Sequence, residues 1–148
     1  GGLGEAAASL AVTAYAFGNV VLPVPLGMAA DRLGPRRVLA ACALASAGAL
    51  LLVPVALASV PLFLLAVFLF GGASIGLYVV GLAALMARLG PADTAPANAA
   101  FVSAYGLGAL VGPLLAGGAM DLWDPHGLVA VFLLPIAAYG LVLARRRD

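Results

Sequence analysis

The 148-residue chain is 65% hydrophobic and 9% charged, with a formal net charge of +1 and a mean hydropathy of +1.18. So apolar a composition excludes a water-soluble domain and reads as a membrane protein, and so near-neutral a balance gives no basis for a nucleic-acid partner. The single cysteine, Cys42, lies inside an apolar run, cannot form an internal disulfide, and reads as a small buried hydrophobe.

A hydrocarbon core of about 30 Å needs about 20 apolar residues per helix. Five stretches meet or approach that length, at about 6–30, 38–57, 61–87, 97–120 and 128–144. The expected fold is therefore all-α, a polytopic membrane helix bundle forming a single domain over 1–148. The chain opens in "GGLGE" without an initiator methionine and enters a span almost at once, so it reads as a fragment of a longer protein.

In the first span Tyr15 and Asn19 stand four apart on one helical face. Pro23 and Pro25 free the carbonyls of Asn19 and Val21, which predicts a bend in the lower half of this helix. The first connector, "GMAADRLGPRR", concentrates charge in a chain that has little. Gly27 suits close packing, Asp31 and Arg32 stand in the turn, and Gly34 permits the tight reversal. Pro35 suits an early helical position, and Arg36 and Arg37 reach the headgroups. A carboxylate at a membrane boundary is best used against the positive end of a helix.

The third span places Gly71, Ser74 and Tyr78 on one stripe, with Gly72 and Gly76 weakening the helix beside them. Asp93 and Thr94 precede the fourth span and can cap its amides, with Pro96 in its first turn. Within that span Asn98, Tyr105, Gly108 and Gly112 recur near helical spacing. Gly108 and Gly112 make a small-x-x-x-small face, and Pro113 frees the carbonyl of Ala109. In the last connector Trp123 reads as an interfacial anchor and His126 as a solvated loop residue, since no second His or Cys accompanies it to hold a metal. Pro135 interrupts the final span, and Arg145, Arg146 and Arg147 hold its end against an anionic leaflet.

All seven basic residues are arginines. Drawn as a five-span zigzag, the chain puts every one on the same side, while Glu5, Asp121, Asp124 and His126 fall on the other. Because basic loops stay in the cytoplasm, this predicts a start outside and a cytoplasmic C-terminus. No Asp, Glu, Lys, Arg or His lies at depth in any span, so the chain shows no position for a proton or coupling ion. Tyr15, Asn19, Ser74, Tyr78 and Tyr105 remain as uncharged polar candidates for lining a cavity. Each is open to a second reading, packing between helices or bonding to its own i−4 carbonyl.

Two segments carry a resemblance. G-x-x-x-D-R-x-G-x-R-R, matched at Gly27, Asp31, Arg32, Gly34, Arg36 and Arg37, resembles the cytoplasmic loop motif of the major facilitator superfamily, found between the second and third helices of each half. It departs at Ala29, where leucine is frequent, and at Pro35, where a basic residue is frequent. "AYGLGALVGPLLAGG", with Gly106, Gly108, Gly112, Pro113, Gly117 and Gly118, resembles the glycine-proline pattern of the fifth helix and its symmetry mate, the eleventh. The same letters mimic a dinucleotide fingerprint, but no strand precedes them.

The resemblance implies five helices of a six-helix half and a secondary transporter that moves a small solute by rocking of two bundles, without cofactor or metal. It implies the absent amino-terminal half-bundle, membrane lipid and the solute as partners, and an inner-membrane location in a bacterium. The connector "RLGPADTAPANAA" and the third span lack arginines usual in the amino-terminal half, which favours the carboxy-terminal half, helices eight to twelve. In this superfamily the carboxylate at Asp31 is thought to stabilise the outward-facing state, and the tenth and eleventh helices favour Tyr78 and Tyr105 as cavity residues. The rivals are a non-transporting sensor or assembly subunit of the same fold and, remotely, an intramembrane serine hydrolase. The latter rests on "GASIG" at 72–76, which spells G-x-S-x-G but lacks a strand-turn-helix and a nearby base.

Overall fold

The computed structural model describes residues 5–124 and 126–145, without the side chains of residues 5, 6 and 144. Arg146 and Arg147 and the side chain of Glu5 therefore lie outside the described residues. The described residues form six helices and no strand: α1 (Glu5–Val21), α2 (Pro23–Leu33), α3 (Pro35–Ala56), α4 (Val60–Met86), α5 (Pro91–Leu122) and α6 (His126–Arg145). α1 and α2 together make one apolar stretch, Ala7–Leu33, and five helical stretches in all are long and apolar enough to cross a membrane.

The first of these is interrupted at Leu22, where the sequence predicts a bend. Leu22 keeps right-handed helical angles, φ −80° and ψ −23°. Its N–H donates to Gly18 at 3.2 Å and its carbonyl accepts from Leu26 at 3.0 Å. The prolines at 23 and 25 remove two donors from the ladder while these bonds on either side persist, so the chain is loosened at one turn without reversing.

Four helices carry proline in the first turn, α2 at Pro23, α3 at Pro35, α4 at Pro61 and α5 at Pro91. Proline costs little there, since first-turn amides have no helical partner. α5 thus starts at Pro91, earlier than the apolar pattern predicts. Pro96 sits inside the helix and not in its first turn, and Gly90 occupies the cap position without a side-chain bond. Thr94 Oγ1 donates to the Pro91 carbonyl at 2.8 Å and caps no amide. Asp93 stays in the first turn, where a carboxylate favours the helix dipole.

α4 is the central element, packed against α1, α2, α3 and α5, while α6 joins α3 to α5. Glycines allow the closest approaches. A β-carbon on Gly71 would come to 2.5 Å from the Tyr15 carbonyl oxygen, and one on Gly18 would collide with the backbone of Phe68. A β-carbon on Gly76 would meet Leu26 at 2.5 Å and the Cys42 sulfur at 2.9 Å. In a bilayer, where lipid tails are as apolar as leucine, helix association depends on this kind of backbone proximity. Gly71, Gly72 and Gly76 therefore let α1 and α2 approach α4 closely. Gly27, expected to pack closely, meets nothing within 4 Å of an added carbon.

The buried core is Val38, Leu39 and Cys42 of α3 with Ala73 and Val80 of α4, flanked by Leu26, Leu77, Tyr139 and Leu143. Cys42 is a buried free thiol, as its apolar setting predicts.

Candidate functional site

The five polar candidates divide into two neighbouring groups along α4. In the first, Tyr15 of α1 packs its ring 6.3 Å from Phe70 of α4, and Phe70 meets Phe132 of α6 edge-on at 5.9 Å. Asn19 Nδ2 donates to the Tyr15 carbonyl at 3.0 Å, and Ser74 Oγ donates to the Phe70 carbonyl at 2.6 Å. Both polar side chains thus bond to their own helix four residues back, which satisfies one donor each without a partner helix.

One turn further along α4, Tyr78 stands against Tyr105 of α5 with ring centroids 4.7 Å apart and against Phe101 at 5.4 Å. Phe70, Ser74 and Tyr78 follow at i, i+4 and i+8, so the two groups form one stripe. Its ends are open: Tyr15 is 40% and Tyr105 54% exposed. The stripe offers aromatic faces and phenol groups and carries no charge. The Ser74 hydroxyl is directed at a carbonyl, and the one histidine, His126, is the first residue of α6, in the connector region opposite the arginines. Among the described residues the Ser74 hydroxyl has no hydrogen bond to a group that could act as its general base.

The loop motif is compressed to one non-helical residue. Gly34 alone joins α2 to α3, with φ +88° and ψ 141°, a conformation that glycine adopts freely and other residues do not. Asp31 and Arg32 lie in the last turn of α2, ahead of the turn itself. Asp31 is exposed and has neither hydrogen bond nor ion pair among the described residues. Arg36 Nη2 donates to the Leu143 carbonyl at 2.6 Å. That carbonyl is one of the last in α6, so the guanidinium caps a helix C-terminus with both a donor and a positive charge. Sequence reasoning missed this bond because 107 residues separate its ends. It also missed Tyr139, a half-buried phenol beside the core, since a single tyrosine in an apolar run carries no periodic signal.

The glycine-proline pattern lies on α5, with Pro113 inside the helix. β-carbons built on Gly106, Gly108, Gly117 and Gly118 meet nothing within 4 Å, and Gly112 touches only Phe132 at 3.8 Å. Within this bundle that face is open. In the connector beyond it, Trp123 stacks on His126 at 5.0 Å with planes 19° apart, so His126 is a helix-start residue held by a ring and not a free loop residue. Among the described residues no group of three or more His, Cys, Asp or Glu is placed to hold a metal.

A bundle with five helical stretches long and apolar enough to cross a membrane defines an integral membrane protein. The family model of the Major Facilitator Superfamily matches residues 2–148, and the chain belongs to that superfamily. Neither the curated proteins nor the solved structures give a match.

Proposed function

We propose that the chain forms helices eight to twelve, in the carboxy-terminal half of a secondary active transporter that moves a small, uncharged solute by alternating access. The observation that carries this reading is Asp31: a carboxylate exposed at the bundle's arginine end, with no partner of its own among the described residues. It stands within reach of whatever packs across that end. A carboxylate bonded to a helix N-terminus in the opposing half-bundle would hold the two halves together in one state and release them in the other. The open faces of α1 and α5, bearing Tyr15 and Tyr105, supply the surface on which the opposing half and the solute would meet. The positive-inside bias supports a cytoplasmic arginine end, and a bacterial inner membrane is the proposed setting.

The test uses the full-length protein carrying Asp31→Asn. A charge-assisted hydrogen bond is worth about 1.5–3 kcal/mol, so the variant should shift the equilibrium between the two states about tenfold or more. Hydrogen exchange at the arginine end should rise accordingly, and transport across a panel of neutral solutes in proteoliposomes should fall with membrane insertion unchanged. Exchange and transport both matching the wild type would remove the bracing role.

A further inference from the structure

The arginines do more than bias topology, because three of them surround a hollow. It lies between α3, α4 and α6, has a volume of about 670 Å³, and is lined by Arg36, Arg88, Arg145 and Tyr139 beside Leu39 and Leu85. Its described lining holds three guanidiniums and no carboxylate. Like charges gathered round one concavity repel each other and favour an anion between them. Arg36 spends one N–H on Leu143, but a guanidinium has five donors, so others stay available.

A second hollow of about 400 Å³ runs between α3 and α6 and shares Arg36 and Leu143 with the first. Beyond Arg36 its lining is apolar, including Ala43, Leu44, Leu133 and Ile136. From Arg36 to Ala47, which also lines it, the axis of α3 descends about 16 Å. A cationic cup thus opens onto a hydrocarbon groove, with the charged part at the helix ends and the apolar part along their length.

We propose that this end of the bundle binds an anionic phospholipid, with its phosphate among Arg36, Arg88 and Arg145 and one acyl chain in the α3–α6 groove. The guanidinium fork matches phosphate oxygens bidentately, and Tyr139 lines the same wall. A free phosphate would use only the cup. The adjoining groove has no use for it, and this selects the lipid over the soluble anion.

Native mass spectrometry of the detergent-purified full-length protein, titrated in turn with phosphatidylglycerol, phosphatidylcholine and inorganic phosphate, tests the site. Phosphatidylglycerol should be retained in preference to phosphatidylcholine. An arginine near an anionic headgroup contributes roughly fivefold in affinity, so Arg88→Gln and Arg145→Gln should each lower phosphatidylglycerol retention about fivefold. Arg37→Gln, outside the lining, should lower it less than about twofold. Gly140 lines the groove, and a carbon added there meets open space. Gly140→Leu should therefore fill the groove and weaken the diacyl lipid without disturbing the fold. The proposal fails if the wild type holds both lipids equally, a result that needs no variant to fold. It also fails if Arg37→Gln costs as much as Arg88→Gln, if inorganic phosphate displaces the lipid at equal concentration, or if Gly140→Leu leaves retention unchanged.

Discussion

At the scale of single residues, Gly34 shows how little of the loop motif is loop. Its φ of +88° is the only positive φ among the described residues, and an added β-carbon there would meet nothing within 4 Å. Space is free at this site, so any cost of a side chain is a backbone cost. Holding a non-glycine residue in so sparsely populated a region costs about 1–3 kcal/mol. Gly34→Ala should lower unfolding stability in detergent by that amount, while Gly48→Ala, inside α3 and equally uncrowded, should be neutral or stabilise by up to about 1 kcal/mol. Equal effects would show that the turn carries no strain. The need for glycine at 34 was legible in the sequence, because a short link between two spans must reverse. The anchoring of Arg36 was not, because its partner is a main-chain carbonyl, and main-chain carbonyls leave no mark on residue identity.

At the scale of elements, hydropathy located the helices but not their ends. It reports where hydrocarbon surrounds the chain, whereas a helix continues into the headgroups as long as its own amides can bond. That is why α5 begins at Pro91 although the residues from 91 to 96 are polar or proline-rich. The packing role of the α4 glycines was missed for a related reason. A glycine inside a helix looks like a weakness when only one helix is considered, and becomes a contact when the facing backbone is known. Gly71 against Tyr15 is such a contact, and crowding a close-packed junction costs about 1–3 kcal/mol. Gly71→Val should separate α1 from α4 and lower stability by at least that much, with a rise in hydrogen exchange confined to α1 and the facing turns of α4. Exchange rising evenly across all helices would argue against a specific α1–α4 seam. The pairing of Tyr78 with Tyr105 was partly legible: each residue stood out as a polar aromatic at mid-span, but only the placement of α5 beside α4 brings their rings to 4.7 Å.

At the scale of the whole molecule, sidedness follows from a charge count and an odd number of crossings. Arg36 of α3, Arg88 in the turn after α4 and Arg145 at the end of α6 converge on one hollow, as the zigzag requires. Positive charge on short loops is retained in the cytoplasm, so reporter fusions should place the residue before α1 outside and the residue after α6 inside. Both ends reporting from the same face would overturn the five-crossing arrangement. The bundle's weakest shielding is at its flanks: in the most apolar 18-residue stretch of Ala7–Leu33 and of Pro91–Leu122 only 6% of residues are buried within this chain, against 39% in that of Pro35–Ala56. α3 and α4 provide the interior, and α1 and α5 present the surfaces that a second bundle or lipid must cover.

The bond from Arg36 to Leu143 also sets a clock. Its two ends are separated by 107 residues, and a ribosome adding about 5–20 residues per second needs roughly 5–20 s to supply the second after the first. Throughout that interval Arg36 lacks the carbonyl that it caps in the finished fold. The bond beside the Gly34 turn closes only when the final helix arrives, so the motif is written early in the chain and finished last.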